Sequence, residues 1–175
     1  QQAIVTDAVN NGRVIFISGA SATQKGFTGI INAMFDPATA IRFANTTASS
    51  KDFEAVAGKL AAGAGAWSNQ NVIIIDRVKG GSVYGVNPVA RAEAIESLKV
   101  TSSCGATGAG TAASPYVCAT TTVAEYMVPD AGVSDVAPAL FQSPINTEGE
   151  SAAGSLDATE LADLTATAIY GLAFG

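Results

Sequence analysis

The sequence predicts an α/β fold, a three-layer sandwich around a mostly parallel central sheet. Two observations carry this: strand-length apolar runs alternate with segments of helical period, and Gly/Ser-rich turns follow the runs. Arg13 to Ser18 (RVIFIS) reads as a buried strand. Phe27, Ile30, Ile31 and Met34 then fall on one face of a helix, which Asp36-Pro37 ends. Ala40 to Ala44 (AIRFA) is a second strand. Ser49 or Ser50 can cap a helix whose buried face is Phe53, Val56, Ala57 and Leu60. Gly63 to Trp67 is a small-residue loop, and Val72 to Ile75 an apolar strand. That strand breaks into Gly80-Gly81-Ser82, and a helix over Pro88 to Leu98 follows, with Asn87 as N-cap and Pro88 at the first helical position.

Beyond it, residues 100–122 form a Ser/Thr/Gly/Ala-rich insertion, and Met127 to Pro138 a turn-rich segment. Gln142 to Ser155 reads as surface loop, Asp157 to Leu164 as a short helix, and Ala166 to Phe174 as a last apolar strand. That strand reaches the chain end without a polar tail, which reads as a cut through a larger protein. The opening Gln1-Gln2 suits a processed mature chain or an excised segment.

The chain has 175 residues, 48% of them hydrophobic, which is enough for one domain with a real core. Charged residues are only 14%, a sparse-charge surface that leans toward a secreted bacterial protein. The net charge of -6 argues against nucleic acid as a partner. All nine basic residues lie at or before Lys99, and the remainder carries acids alone. That half presents either a solvated acidic face or a surface for a basic partner or cation. No apolar run approaches membrane-span length. Cys104 and Cys118 enclose GATGAGTAASPYV, and no histidine exists to complete a zinc site. A local disulfide in an oxidising compartment is the economical reading, with two free thiols as the alternative.

Three Ser-bearing loops are the candidates for chemistry: Ser18 to Thr23, Gly80-Gly81-Ser82, and Asp130 to Asp135. Loops after parallel strands gather at the strands' carboxyl ends, where ligands bind. A Gly/Ser loop opening a helix can hold an anion on its unpaired N–H groups. Each loop alone is equally a tight strand-to-helix turn. Enzymatic readings fare worse. The chain has no histidine to serve as base, and neither Ser82 nor Ser134 completes G-x-S-x-G. Nucleotide P-loop, dinucleotide and EF-hand patterns are all unmatched. A Ser–Lys or paired-carboxylate mechanism is the residual enzymatic option. The expectation is a binding protein and not an enzyme, with no cofactor and no metal.

The ordered set SGASAT, KGGSVYGV and DAGVSDV resembles the first lobe of the phosphate-type periplasmic binding proteins, class II of the solute-binding superfamily. GGSVYGVNPVARAEAIESL and DAGVSDVAPALF resemble an uncharacterised proteobacterial branch of it. The likeness runs from Val14 to Leu140 and, more faintly, through the closing ATAIYGLAFG. It implies a single lobe over residues 1–175, with the 100–122 insertion and without the second lobe. It implies a periplasmic or extracellular solute-binding protein for a small oxyanion, phosphate-like, or a polar solute.

Carried over residue by residue, the resemblance makes Ala20 and Ser21 backbone and hydroxyl donors, and Gly81 and Ser82 a helix-opening donor loop. Ser134 and Asp135 become the Ser-Asp pair, whose aspartate accepts a hydrogen bond from a protonated ligand oxygen. The implied partners are the solute, a membrane transporter, or further copies paired through the C-terminal strand. The last fits an alternative reading, an extracellular structural or assembly subunit built on the same scaffold. The sequence departs from the family at Val83 and Tyr84, bulky residues where smaller ones are usual, which can obstruct or reshape the pocket.

Overall fold

The computed structural model describes residues 2–105, 107–143 and 154–168. Their elements are α1 (Gln2–Asn10), β1 (Val14–Gly19), α2 (Gln24–Ala33), β2 (Ile41–Ala44), β3 (Phe53–Lys59), β4 (Asn71–Arg77), α3 (Val83–Arg91), β5 (Tyr116–Val117), β6 (Ala131–Val133) and α4 (Ala158–Ala162). The strands form one six-stranded sheet in the order β5-β2-β3-β4-β1-β6. The α/β class holds, but the sheet is mixed. β1 runs parallel to β4 and β6, and β2 to β5, whereas β3 is antiparallel to both its neighbours.

The mixed character comes from Phe53 to Lys59, expected as helix and found as strand. Phe53, Val56, Ala57 and Leu60 fit a helical face, yet Phe53, Ala55 and Ala57 also alternate. In the structure those three enter one core, while Val56 and Leu60 enter the other. A strand buried on both faces has no polar face to reveal its period. β4 shows the same: every residue from Val72 to Arg77 is buried.

The two cores lie on opposite faces of the sheet. On one, Val5 and Ala8 of α1 meet Phe16, Phe43, Phe53, Ile73 and Ile75. On the other, Ile31 of α2 meets Val56, Val72 and Ile74, with Phe27 and Met34 partly buried beside them, while Ile30 is 45% exposed. Helices on both faces match a three-layer arrangement. α1 has no counterpart in the elements expected from sequence. It is tied to the sheet by Asp7, which accepts hydrogen bonds from Arg13 Nη2 at 2.6 Å and Asn71 Nδ2 at 2.8 Å. The Asn71 bond first, and Arg13 second, hold the Asp7 carboxyl below its ordinary range.

Other segments differ from expectation at their ends. The third helix starts at Val83 and stops at Arg91, where Ala92 turns left-handed (φ 49°), so Asn87 and Pro88 lie inside it. Ile95 and Leu98 are extended instead and bridge Met127 and Thr120. The 100–122 segment supplies β5, and Cys104 and Cys118 form a disulfide with Cα atoms 5.0 Å apart. The short helix expected at Asp157 to Leu164 is present as Ala158–Ala162, capped by the Asp157 side chain. Residues 166–168 are not strand, and the rest of the last apolar run lies outside the described residues, as does most of the expected loop from Gln142 to Ser155. Among the described residues no helix is long and apolar enough to cross a membrane.

Asp76, on the α2 side of β4, is 5% exposed, and its Oδ2 has no hydrogen-bond partner among the described residues. Glu54 stands opposite it in the β3–β4 register, held by Gln24 Nε2 at 3.2 Å and Lys51 Nζ at 3.6 Å. Burial first, and the charge of Glu54 second, raise the Asp76 carboxyl to about 7. The folded chain therefore binds a proton more tightly than the unfolded one. Stability falls as pH rises from about 4 to about 7, by roughly 2–4 kcal/mol from this group. Urea midpoints should show Asp76→Asn gaining stability at pH above about 8 and losing much of that slope.

The disulfide yields a second expectation. Closing a loop across a separation of 14 residues stabilises by about 3 kcal/mol in the chain-entropy account. Comparing urea midpoints with and without reductant measures it.

Candidate functional site

The site is built where β4, β1 and β6, adjacent and mutually parallel, end together. Three loops leave these carboxyl ends: Ala20 to Thr23, Val78 to Ser82, and Ser134 to Ala137. All six residues expected to bind ligand, Ala20, Ser21, Gly81, Ser82, Ser134 and Asp135, lie on them. Gly80 and Gly81 take positive φ (92° and 74°), which turns the chain back over the strand and into α3.

How α3 sits on the strands fixes the rest. Its backbone lies directly against those of β1 and β6. A Cβ on Gly85 would collide with the Val133 carbonyl and the Gly19 Cα, and one on Gly132 would collide with the Gly85 carbonyl. Pro88, inside the helix, has no N–H for the Tyr84 carbonyl one turn earlier. Ser18, fully buried at the end of β1, donates its hydroxyl to that carbonyl at 2.6 Å instead. Asn87, also buried, donates Nδ2 to Gly154 at 2.9 Å, and Arg91 Nε meets Glu160 Oε1 at 2.6 Å. These contacts bring the segment that includes α4 back against α3.

Ser82 and Asp135 are joined directly. The Ser82 hydroxyl donates to Asp135 Oδ1, and the Asp135 N–H donates back to Ser82 Oγ at 3.1 Å. Although Ser82 is the N-cap residue, its side chain caps nothing in α3 and clamps the β6 loop. Ser134 is turned inward on its own loop, donating to the Val136 carbonyl at 2.6 Å and accepting the Val136 N–H at 3.2 Å. Ala20 is buried, and its N–H is spent on the Val133 carbonyl at 2.9 Å. Ser21 is exposed in a 3-10 turn, and Thr23 closes that turn by donating to the Ala20 carbonyl at 3.0 Å. Asp130 is structural: its Oδ2 accepts the Phe16 N–H at 2.8 Å where β6 begins.

A hollow of about 610 Å³ opens from this junction. Thr23, Phe27 and Ile30 form one wall, Gly85, Val86 and Val89 the other, with Gly132 to Pro138 below and 164–168 alongside. Val83 and Tyr84 do not line it. Val83 is buried with Phe141 and Leu156, and the Tyr84 ring lies against Arg77, 4.3 Å from the guanidinium. The apolar walls carry no signal in the loop motifs, and Ser18, which opens the first candidate loop, holds the Tyr84 carbonyl and does not line the hollow. The signal for Ser18 is Pro88, which must leave one helix carbonyl without its donor.

Among the described residues no group of three or more His, Cys, Asp or Glu side chains could hold a metal ion. No protein-family model, curated protein or solved structure matches the chain significantly.

Replacing Ser18 with Ala strands the buried Tyr84 carbonyl. The expected loss is about 1–3 kcal/mol in denaturant unfolding. Ser18→Thr, if its methyl is accommodated, recovers part of it.

Proposed function

We propose that this chain is a solute-binding lobe of a periplasmic or extracellular protein, gripping a small solute by a polar end at the Ser82–Asp135 clamp. The observation that carries this reading is the meeting of loops from the parallel strands β4 and β6 in one serine–carboxylate pair, whose Asp135 lines a hollow that the β1 loop borders through Thr23. Such a junction is where α/β sheets bind ligands. An acceptor at its head selects a solute that carries a hydrogen there. A protonated oxyanion of the phosphate type, a hydroxyl or an ammonium meets that need, and fully ionised sulfate does not. The disulfide agrees with an oxidising compartment. A membrane transporter is the partner such a lobe would serve.

Calorimetric titration tests this reading with phosphate, sulfate, a simple alcohol and a simple amine. Binding of a hydrogen-bearing solute, weakened about tenfold or more by Ser82→Ala and Asp135→Asn, is the expected result. Failure of the whole panel rejects the reading.

A second reading, an assembly subunit on the same scaffold, is favoured by the apolar side chains of Val123, Tyr126 and Val128, exposed by 79%, 36% and 44% on one short segment. Light scattering at high concentration separates the two, since a strict monomer rejects the assembly reading.

A further inference from the structure

We infer that the solute is an amphiphilic amine, with its ammonium on Asp135 and a short apolar body lying between α2 and α3. The inference deepens the solute-binding reading and rests on it.

The hollow is the size of a small-molecule site, and its walls are mainly hydrocarbon. Phe27, Ile30, Val86, Val89, Val136 and Leu164 supply most of that surface. Ile30 is 45% and Val136 40% exposed, so large apolar groups at its edge face water until something covers them. A solute made only of polar atoms leaves this surface wet. An apolar body removes it from water at roughly 25 cal/mol for each Å² covered.

The head group follows from the hydrogen-bond account. Asp135 is the one charged side chain among the described residues lining the hollow. The donors nearest its carboxylate are spent within the protein: the Ser82 hydroxyl on Asp135, the Ser134 hydroxyl on Val136, the Thr23 hydroxyl on Ala20, and the Asp135 N–H on Ser82, while the neutral hydroxyls of Thr165 and Thr167 line the side wall. The second oxygen of Asp135 is left as an acceptor. An anionic head finds a carboxylate there and no cation, whereas an ammonium brings three donors and the complementary charge. The nearest basic residue of α3, Arg91, is engaged by Glu160 beyond the hollow.

The test uses the whole chain, isotope-labelled for amide spectra, titrated separately with n-hexylamine, n-hexanoate and inorganic phosphate. Saturable shifts with hexylamine at Val86, Val89 and Val133 to Val136, with hexanoate weaker by about tenfold or more, support the inference. Asp135→Asn should remove that preference. Val89→Asn, on the wall away from the clamp, should weaken hexylamine while the remaining amide spectrum is kept. Phosphate binding without hexylamine binding overturns the amphiphile and leaves the solute-binding reading standing. Equal binding of hexylamine and hexanoate overturns the assignment of the head group. Shifts at the same amides that grow with protein concentration alone assign the hollow to a second copy and overturn the inference. No response to any of the three, nor to the alcohol, defeats both readings.

Discussion

The rest of the molecule depends on a backbone laid directly on backbone. At Gly19, Gly85 and Gly132 the third helix rests on the ends of two strands with no side chain between them. Only then can the Ser18 hydroxyl reach the Tyr84 carbonyl, which Pro88 has left without its usual donor. Proline here is not a defect repaired from outside. It frees an acceptor on the buried side of the helix, and the strand supplies a donor. That bond and the glycine contacts together seat α3 on the strand ends, and so place Ser82 at its start.

From that seat the loop geometry follows. Ser82 is carried over the end of β1 to the β6 loop, where its exchange of hydrogen bonds with Asp135 joins segments 53 residues apart in sequence. Both partners are occupied by each other, so the solute proposed for this site would meet a clamp already closed on itself. Binding is then a matter of what the clamp still offers. What it still offers is an acceptor.

Different parts of this were legible in the sequence for different physical reasons. β1 and β4 are marked by unbroken β-branched and aromatic runs, and α2 by its apolar spacing. Phe53 to Lys59 was ambiguous because small and apolar residues on both faces satisfy either period, and the antiparallel pairings of β3 settle it. α1 was missed although Ile4, Val5 and Ala8 share a face, because the segment is short and lacks a capping signal. Asn87-Pro88, a pair that normally opens a helix, sits mid-helix here because Ser18 donates to the Tyr84 carbonyl that Pro88 cannot serve and the Gly154 carbonyl accepts from Asn87 Nδ2. Within the site, the Ser82 loop is legible from its position after a strand, whereas Asp135 is marked only by the family resemblance, because β6 lies in a segment whose Gly, Pro and Asp residues read as turns. Their bond to each other is not legible, because it depends on β6 lying next to β1, a long-range pairing with no local signature.

Among the described residues the sheet ends on strands of two and three residues, β5 and β6. Their brevity has a consequence for how copies of the chain meet one another. A sheet margin is a template for any passing extended chain, and its danger grows with the run of unpaired amides. These margins are too short to seed a growing stack. A protein with few charged residues to keep its copies apart thereby gains resistance to fibril formation from geometry instead of repulsion.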